Sequence, residues 1–594
     1  MSRRWPDETA FTQEILTVEQ EACWECQRPL NICDHRFHHI FTLNGPMEIV
    51  CKLAHCPDRD CPAHSHTLSP LAEAQITLPW WLIGWDVFTW LGFRRFTRHW
   101  SIPQLQAELR DSYQIRLSDD AIAGYLQRYR CMVAARHQDA TLLEAAYEDI
   151  DSLVLTIDGL QPEKGHETLY VVRELRGKRV WFAEALLSSS AEEVQRLLSK
   201  AKDWAQQLGK PVQLWMSDKQ DAFVKGIADE FPDVPHRYCA NHFLRDVAKP
   251  VLEADSHAKV QMRKKVRGLR NIEKQVLEDR RQAQTEAEPT SVNGVAPSEP
   301  VASMAVVDAT EIDADVSRAS EAVSLPTASA ALAAASPSVA ESADDEAGQV
   351  VLEYCAAVRG ILNDDQGGPL HPPGLRMAEA LQEVQESLQR NLEAKKGGRA
   401  EEQLARLEVC IERGLQCVAT EQEQIEEHVK EVKRVEATLD PSRGSSKQRK
   451  KRFQRLRRRL KRSGDPVRMQ MAVVMAAFMV GLFAGPEVDP KIVDNLELER
   501  WFRLPKGHER RIHGRKHAGV RLVQEGATLM AVLDAHKGRE RPYKAEELLG
   551  YKEAKPPKTE QEALHRRKVM RRARSKKRRA TLLAELEQRY LSAS

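Results

Sequence analysis

The sequence predicts a multidomain α/β protein in which a mixed-sheet core is interrupted by a long helical insertion. Two short apolar runs, at residues 153–158 and 212–218, each end in an aspartate, which is the pattern of a buried strand that stops at a turn. Between residues 150 and 240, runs of this kind alternate with segments of helical periodicity. The chain has 594 residues, which is enough for several domains.

The first segment, residues 1–68, carries two closely spaced pairs of cysteines. Asn44-Gly45 lies between them and joins two β-rich runs, which is a strong hairpin signal. Two cysteine pairs at the feet of a hairpin are what a four-ligand structural zinc ribbon requires, and so small a module needs its metal to fold. The predicted zinc ligands are Cys23, Cys26, Cys56 and Cys61. Nearby residues that could substitute for one of them are Cys33, Cys51 and His64.

The second segment, residues 69–148, contains two short amphipathic patterns, at 101–110 and 118–130. Ser101 and Ser118 stand where each helix would be capped, and the segment between the two patterns is short. This spacing predicts a helix-turn-helix DNA-binding domain whose second helix presents Arg128 and Arg130 to phosphates. Any two short amphipathic helices have the same outline, so the pattern favours DNA binding only in combination with other signals.

Residues 149–250 are predicted to form the first part of the α/β core. The expected order is three strands, a helix, a strand, a helix and a short strand, with acids after the first and fourth strands. These elements fall at residues 153–159, 167–175, 180–187, 191–208, 212–218, 219–229 and 235–239. A carboxylate at the end of a buried strand must be paired, hydrogen-bonded or bound to a metal. For Asp218 the simpler reading is a helix cap, and for Glu499, further along the chain, it is an exposed partner of Arg503.

The insertion is predicted to cover residues 251–465. Residues 286–348 are rich in Ala, Ser, Pro and acids and lack apolar periodicity, so this linker should be disordered. Residues 375–439 repeat apolar side chains every three or four positions in charged surroundings, which indicates helical hairpins or a coiled coil. The strongly basic run at 448–462 follows and suggests a polyanionic partner, although a solvated surface would have the same composition.

The second part of the core is predicted at residues 466–535, and residues 536–594 read as a basic C-terminal tail. The apolar run at 467–484 contains charge and is short for a membrane span, so a buried core helix is expected. The basic run at 566–579 should add non-specific affinity for DNA. The net charge of +2 says little by itself, because the charges are segregated along the chain.

Two motifs give these elements a family resemblance. Residues 236–242 read His-Arg-Tyr-Cys-Ala-Asn-His, and residues 494–503 read Asp-Asn-Leu-Glu-Leu-Glu-Arg-Trp-Phe-Arg, with a basic segment at 510–516 after them. The first is similar to the Cys-x2-His element, and the second to the terminal-glutamate helix, of DDE transposases from bacterial insertion sequences. The resemblance covers about residues 20–250 and 490–520. Glu497 competes with Glu499 for the third acid, and the following Arg-Trp-Phe-Arg favours Glu499.

The resemblance implies a ribonuclease-H-like core whose catalytic residues are Asp158, Asp218 and Glu499. These carboxylates would hold Mg²⁺ or Mn²⁺ for DNA strand cleavage and strand transfer by two-metal phosphoryl transfer. The implied partners are the double-stranded transposon ends and target DNA, with the protein acting as a homo-oligomer on DNA. DNA-end recognition is expected within residues 20–135.

The expected location is the bacterial cytoplasm, in association with the nucleoid. The first residues lack a signal-peptide core, no membrane partner is indicated, and eleven cysteines without such a signal favour a reducing compartment. Two other classes of function stay open. One is a nuclease with the same core that does not join strands, and the other is a non-catalytic DNA-binding regulator.

Overall fold

The chain forms two compact units in a computed structural model that describes residues 10–160, 167–188, 190–287, 343–394, 397–486, 496–514 and 518–593. The first unit comprises residues 1–240 and 484–594, and the second comprises residues 241–483. The second unit therefore begins before and ends after the predicted insertion, which covered residues 251–465. The apolar helix at its C-terminal end, predicted to belong to the core, packs instead with its preceding helices in the second unit.

A three-stranded sheet forms the N-terminal part of the first unit. Its strands are β1 (Thr12–Leu16), β2 (Asn31–Thr42) and β3 (Gly45–His55), in the order β1-β3-β2. β2 and β3 form the predicted hairpin, but Thr42 pairs with Gly45, so the two turn residues are Leu43 and Asn44. Gly45 has a φ of +122°, which favours glycine at the first position of β3. β1 runs parallel to β3.

Helices follow this sheet in the region predicted to bind DNA. They are α1 (Glu73–Ile76), α2 (Trp85–Phe96), α3 (Ile102–Tyr113), α4 (Asp119–His137) and α5 (Ala140–Ala146). The predicted caps are present, since the hydroxyl oxygens of Ser101 and Ser118 accept hydrogen bonds from the N–H groups of Gln104 and Ala121. α4 packs against both α2 and α3, and its apolar residues Ile122 and Leu126 are buried.

The central sheet of the first unit has five strands and follows the predicted order of elements. They are β4 (Leu153–Leu160), β5 (Thr168–Glu174), β6 (Arg179–Leu186), β7 (Val212–Ser217) and β8 (His236–Tyr238), with α6 (Ala191–Gln207) and α7 (Asp221–Glu230) between the later strands. The strand order is β6-β5-β4-β7-β8. β4, β5 and β6 are antiparallel, whereas β7 runs parallel to β4 and β8 runs parallel to β7. The sheet is therefore mixed, as predicted.

The two faces of this sheet bury different helices. On one face, Leu155 and Ile157 of β4 pack with residues of α6 and α7 such as Val194 and Phe223. Side chains alternate along a strand, so Val154, Thr156 and Asp158 point to the opposite face. On that face, apolar residues of β5 and β6 belong to the large core that also contains α2, α3 and α4.

Between residues 496 and 592, the described C-terminal residues of the first unit form helices joined by connecting segments. The helices are α16 (Leu496–Trp501), α17 (Arg503–His513), α18 (Gly519–Ala535), α19 (Ala545–Leu549), α20 (Lys558–Arg574) and α21 (Lys576–Ser592). The prediction of a basic tail from residue 536 is wrong, because α19 and α20 are packed into the unit. Leu548 and Ala563 belong to its large core, and Arg567 makes a 2.7 Å ion pair with the buried Glu167.

The second unit is a helical bundle. Its helices are α8 (Ala240–Lys265), α9 (Leu269–Ala287), α10 (Ala343–Leu362), α11 (Pro373–Glu393), α12 (Arg399–Gln416), α13 (Ala419–Leu439), α14 (Ser446–Lys461) and α15 (Pro466–Leu482). The central part of the predicted disordered linker, residues 288–342, lies outside the described residues. The two ends of that linker are helical, because α9 extends to Ala287 and α10 begins at Ala343.

The apolar helix α15 is buried on one face only. Met475 and Phe478 are buried, whereas the side chains of Val473 and Val480 are largely exposed. The helix packs against α13 and α14, so the prediction that it is a buried helix holds for half of its surface. Among the described residues, we find no helix that combines the length and the apolar character needed to cross a membrane.

Candidate functional site

Four cysteines converge at the feet of the β2–β3 hairpin. The Sγ atoms of Cys23 and Cys61 lie 3.8 Å apart, those of Cys26 and Cys56 lie 3.4 Å apart, and all four lie within 4.8 Å of one another. This is the predicted set of ligands, and four thiolates at these separations can hold a metal ion such as zinc. Cys26 is partly exposed and the other three are buried.

The residues that could have substituted for these ligands have other surroundings. Cys33 is exposed, and its thiol is directed to the carbonyl of Leu53. Cys51 is buried in an apolar cluster, and the imidazole Nδ1 of His64 lies 2.6 Å from the carbonyl oxygen of Cys56. The sequence could not separate these residues from the four ligands, because all seven lie within one short segment.

The thiols of the cluster differ in acidity. A hydrogen bond from the backbone N–H of Cys26 lowers the pKa of Cys23 to about 7. Burial raises the pKa of Cys56 to about 12 and also raises the pKa of Cys61. A metal ion that binds here must therefore displace protons from thiols that hold them tightly, so binding should weaken in acid.

Asp158 and Asp218 lie at the same edge of the central sheet. Thr156 of β4 is the register partner of Met216 of β7, and each aspartate follows two residues after its member of this pair. Because β4 and β7 are parallel neighbours, about 4.8 Å separates their backbones, and the aspartates are at corresponding positions. Both side chains are half-buried. The predicted adjacency of the first and fourth strands is thus present.

Local hydrogen bonds hold both aspartates. The N–H of Gly159 donates to Oδ1 of Asp158 at 2.8 Å, and the N–H of Gln220 donates to Oδ1 of Asp218 at 3.2 Å. The second bond is a turn that precedes α7, whose N-cap residue is Gln220, so Asp218 does not cap that helix. Gly159 itself allows a close approach, because a Cβ atom there would lie 2.9 Å from the ring of Tyr170. Tyr170 can therefore lie directly beside the end of β4.

Glu499 is carried by α16, which packs on the same face of the sheet as Asp158. Leu498 and Trp501 of α16 belong to one core with Leu169 and Val171 of β5. Val171 is the register partner of Asp158 in the antiparallel pair β4–β5, so the two side chains share a face. The short helix that bears Glu499 therefore lies against the strand next to Asp158.

Cys239 connects Glu499 with the end of β7. The backbone N–H of Cys239 donates to the carbonyl of Ser217 at 2.8 Å, directly beside Asp218. The Sγ atom of Cys239 lies within 4.8 Å of a carboxylate oxygen of Glu499. The carboxylate of Glu499 thus reaches the edge of the sheet at which β7 ends. His242, the second residue of the predicted Cys-x2-His element, follows in the first turn of α8.

Lys506 is a residue of this region that the sequence did not single out. Burial and the neighbouring Arg510 lower the pKa of its ammonium group, whereas the charges of Asp158 and Glu499 raise it. The charges of Asp158 and Glu499 thus act on the same lysine. Lys506 is near Glu499 because α17 follows α16 directly, which a search for carboxylates alone could not detect.

The structure describes only part of the predicted glutamate motif. Asp494 and Asn495 lie outside the described residues, as do Arg515 and Lys516 of the basic segment. Of the two glutamates in α16, Glu499 is the one whose carboxylate lies near the thiol of Cys239. Thus Asp158 and Asp218 lie at one edge of the sheet, and Glu499 lies beside Cys239, which follows β8 and is hydrogen-bonded to the end of β7.

The predicted phosphate contacts of α4 are wrong. The guanidinium of Arg130 is buried in an ion pair with Glu525 and makes a second, 3.2 Å ion pair with Glu560. Its side chain is only 14% exposed. The guanidinium of Arg128 donates to the backbone carbonyls of Lys552 and Ala554. Both arginines therefore connect α4 to the C-terminal helices, because helical periodicity reveals a face but not what covers it.

Carboxylates are the ligands that hard divalent cations prefer, and two of them, Asp158 and Asp218, follow neighbouring parallel strands at one edge of the sheet. No protein-family profile matches this chain, and a search of curated proteins finds no match. The argument for a function therefore depends on the geometry of the first unit.

Proposed function

We propose that this protein is a DDE transposase that cleaves DNA at the ends of an insertion sequence and joins those ends to target DNA. The observation that carries the proposal is the placement of Asp158 and Asp218, each two residues beyond the paired Thr156 and Met216 of the parallel strands β4 and β7. The strand order β6-β5-β4-β7-β8 supports a ribonuclease-H-like core, in which three antiparallel strands precede two parallel ones.

The three carboxylates suit a hard divalent cation. Magnesium and manganese prefer carboxylate oxygens, and Asp158, Asp218 and Glu499 would hold two such ions. When bound, the ions would stabilise charge on the phosphate and help both the attacking and the leaving oxygen. The chain provides the fixed positions, because β4, β7 and α16 are all anchored in packed cores of the first unit.

Lys506 has a separate role in this proposal. The charges of Asp158 and Glu499 act on its ammonium group, and the side chain is half-buried, so it would contact a phosphate oxygen of the bound strand. The carboxylate site would first align a water molecule with a phosphate, and would later align the freed 3′-hydroxyl with a phosphate.

The four-cysteine cluster is proposed to hold one structural zinc ion. Its three-stranded sheet has a small apolar core, in which Leu16, Ile40, Ile49 and Cys51 are buried. A core of this size needs a further cross-link to be stable, and a zinc ion on four thiolates supplies it. The zinc-bound segment and α1–α4 remain the proposed reader of the transposon ends, through residues other than Arg128 and Arg130.

The test uses the full chain and a plasmid that carries the DNA flanking its gene. With Mg²⁺, the wild-type protein should cut this DNA and join the ends to a target, and Asp158→Asn should reduce both products at least about 100-fold. Glu499→Gln should behave like Asp158→Asn. Glu497→Gln is the matched control, because it changes the neighbouring acid of the same short helix and should keep activity.

The outcomes separate the three classes of function. Cleavage without strand joining would identify a nuclease. DNA binding without any cleavage, unchanged by Asp158→Asn, would identify a regulator. If Glu497→Gln abolishes activity and Glu499→Gln does not, the third acid is assigned to the wrong residue.

A further inference from the structure

The second unit carries one helix, α14, of unusual composition. Ten of its sixteen residues are Lys or Arg, and none is acidic. The helix is nevertheless firmly anchored, because Phe453 and Leu460 on its inner face are buried. The ring of Phe453 lies 5.7 Å from that of Phe243 and 5.3 Å from that of Phe483. These contacts fix which side of α14 faces outward.

Three arginines of α14 are used to hold the helix in place. Arg449 donates to the carbonyl of Leu439 at 2.7 Å, and Arg452 donates to the carbonyl of Arg443. Arg459 makes a 2.5 Å ion pair with Glu431 of α13. These bonds lie on the flanks of the helix, so the remaining basic residues have a different environment.

Five further basic residues form a continuous row, which we call the basic ridge. The ridge consists of Lys447, Lys451, Arg455 and Arg458 of α14 and of Arg462, which directly follows the helix. Their spacing of four, four, three and four residues places them on one side of the helix, opposite the buried Phe453 and Leu460. All five are exposed, and none makes an ion pair with any acid among the described residues. At 1.5 Å per residue the ridge is about 22 Å long.

Like charges at this spacing repel one another and destabilise the free helix. On other helices of the second unit, exposed lysines alternate with acids, as Lys430 and Lys433 do on α13. The ridge lacks such compensation and is held on a rigid support, which suits an extended polyanion. A membrane surface is disfavoured, because a membrane-bound amphipathic helix inserts its apolar face, and the apolar face of α14 is buried in the protein.

We propose that the basic ridge binds the sugar-phosphate backbone of duplex DNA, as a second DNA contact separate from the carboxylate site. The inference deepens the proposed function and rests on it for the identity of the polyanion. Contacts to phosphates carry no sequence information, so the ridge contributes affinity to all duplexes alike. Its binding energy derives from released counterions and therefore falls steeply with salt.

The experiment compares two variants of the full chain that each replace five exposed basic residues of the second unit by Gln. The ridge variant changes Lys447, Lys451, Arg455, Arg458 and Arg462. The control variant changes Lys265, Arg270, Arg390, Lys430 and Lys433, which are equally exposed but dispersed over four helices. Fluorescence anisotropy measures binding to a duplex of about 40 base pairs, without divalent cations, between 50 and 200 mM KCl.

Five lost phosphate contacts should reduce the slope of log K against log salt by about 4.5, because each contact contributes about 0.9. The ridge variant should also bind at least about tenfold more weakly at 100 mM KCl. The slope of log K against log salt for the control variant should differ from the wild-type slope by no more than about one. A charge-preserving variant, in which Lys and Arg are exchanged at the five ridge positions, should also keep it, which separates loss of charge from misfolding.

Equal slopes for the ridge and control variants would overturn the proposal, as would tighter binding of the wild-type chain to anionic lipid vesicles than to the duplex. The binding measurement contains no divalent cation, so it does not depend on cleavage at the carboxylate site. Absence of cleavage by the wild-type chain would therefore refute the proposed function without affecting the slopes. Equal slopes would refute the ridge without affecting cleavage.

Discussion

Replacing Arg130 by Ala should destabilise the first unit rather than weaken DNA binding. Arg130 contacts Glu525 and Glu560, and its Nη2 atom also donates to the hydroxyl of Thr528 at 2.8 Å. Burial alone would raise the pKa of Glu525, but Arg130 and Arg521 hold it below its ordinary value. Without Arg130, two carboxylates would remain in the protein with too little compensating charge.

The expected loss in the free energy of unfolding follows from how exposed the two glutamate partners of Arg130 are. Breaking a buried ion pair by removing one member costs about 3–5 kcal/mol. The side chain of Glu560 is 2% exposed, whereas that of Glu525 is 29% exposed and can regain water. We therefore expect about 3 kcal/mol, at the lower end of that range. The loss should be smaller at pH 5 than at pH 8, because an uncompensated carboxyl group can be protonated in acid.

Urea unfolding followed by tryptophan fluorescence measures this change. Arg128→Ala is the matched control on the same helix, and it should cost only about 1 kcal/mol, since the carbonyls that it leaves can bind water. The double variant Arg130→Met with Glu560→Gln should recover part of the stability, because it removes both charges. Unchanged stability for Arg130→Ala, with a salt slope of DNA binding smaller by about 0.9, would mean that Arg130 contacts phosphate after all.

Two further predictions concern the cysteine cluster and a buried acid. A fragment of residues 1–75 should bind one equivalent of zinc and unfold in chelator, and Cys23→Ser should abolish both properties; a fragment that stays folded in chelator would contradict the zinc site. Burial, with a contribution from Glu525, raises the pKa of Glu509 to about 7. The folded protein therefore keeps this carboxyl group protonated where the unfolded chain loses the proton, so the free energy of unfolding falls as pH rises from about 4.5 to 7. Glu509→Gln should therefore be more stable than wild type at pH 8, by about 3 kcal/mol at most, and nearly equal to it at pH 5. Parallel pH profiles in urea unfolding would refute this.

The elements of the central sheet could be predicted because each depends on local patterning. The strand that ends near Asp158 is a run of apolar residues stopped by a glycine, and Ser101 and Ser118 cap helices through bonds to residues three positions away. The four clustered cysteines were recognisable for a similar reason, since they flank one hairpin. In each case the determining contacts lie within a few tens of residues.

The errors came from contacts across hundreds of residues. In the sequence, Arg130 has the position of an exposed residue on a short amphipathic helix. In the structure, α18 and α20 cover it. The pair formed by Arg567 and Glu167 has the same origin, because basic composition at the C-terminus resembles a solvated tail unless the buried partner is known. Lys506 had no signal of its own, and its role depends entirely on where α17 is placed.

The position of Glu499 depends on how the chain returns to the first unit after residues 241–483. The guanidinium of Arg237, in β8, donates to the carbonyl of Ala484 at 3.0 Å and to that of Pro486 at 2.6 Å. Gly485 has a φ of +76° and lies so close to Pro235 that an added Cβ would be 3.0 Å from its ring. The chain is thus secured beside the same strand from which it departs after Ala240. Because the closure entropy of a loop grows only with the logarithm of its length, two ends fixed in this way can accept a large folded insertion at little cost. The number of residues between Asp218 and Glu499 therefore does not indicate how far apart the two residues are in space. The return of the chain beside β8 brings it back close to Cys239 before α16 begins.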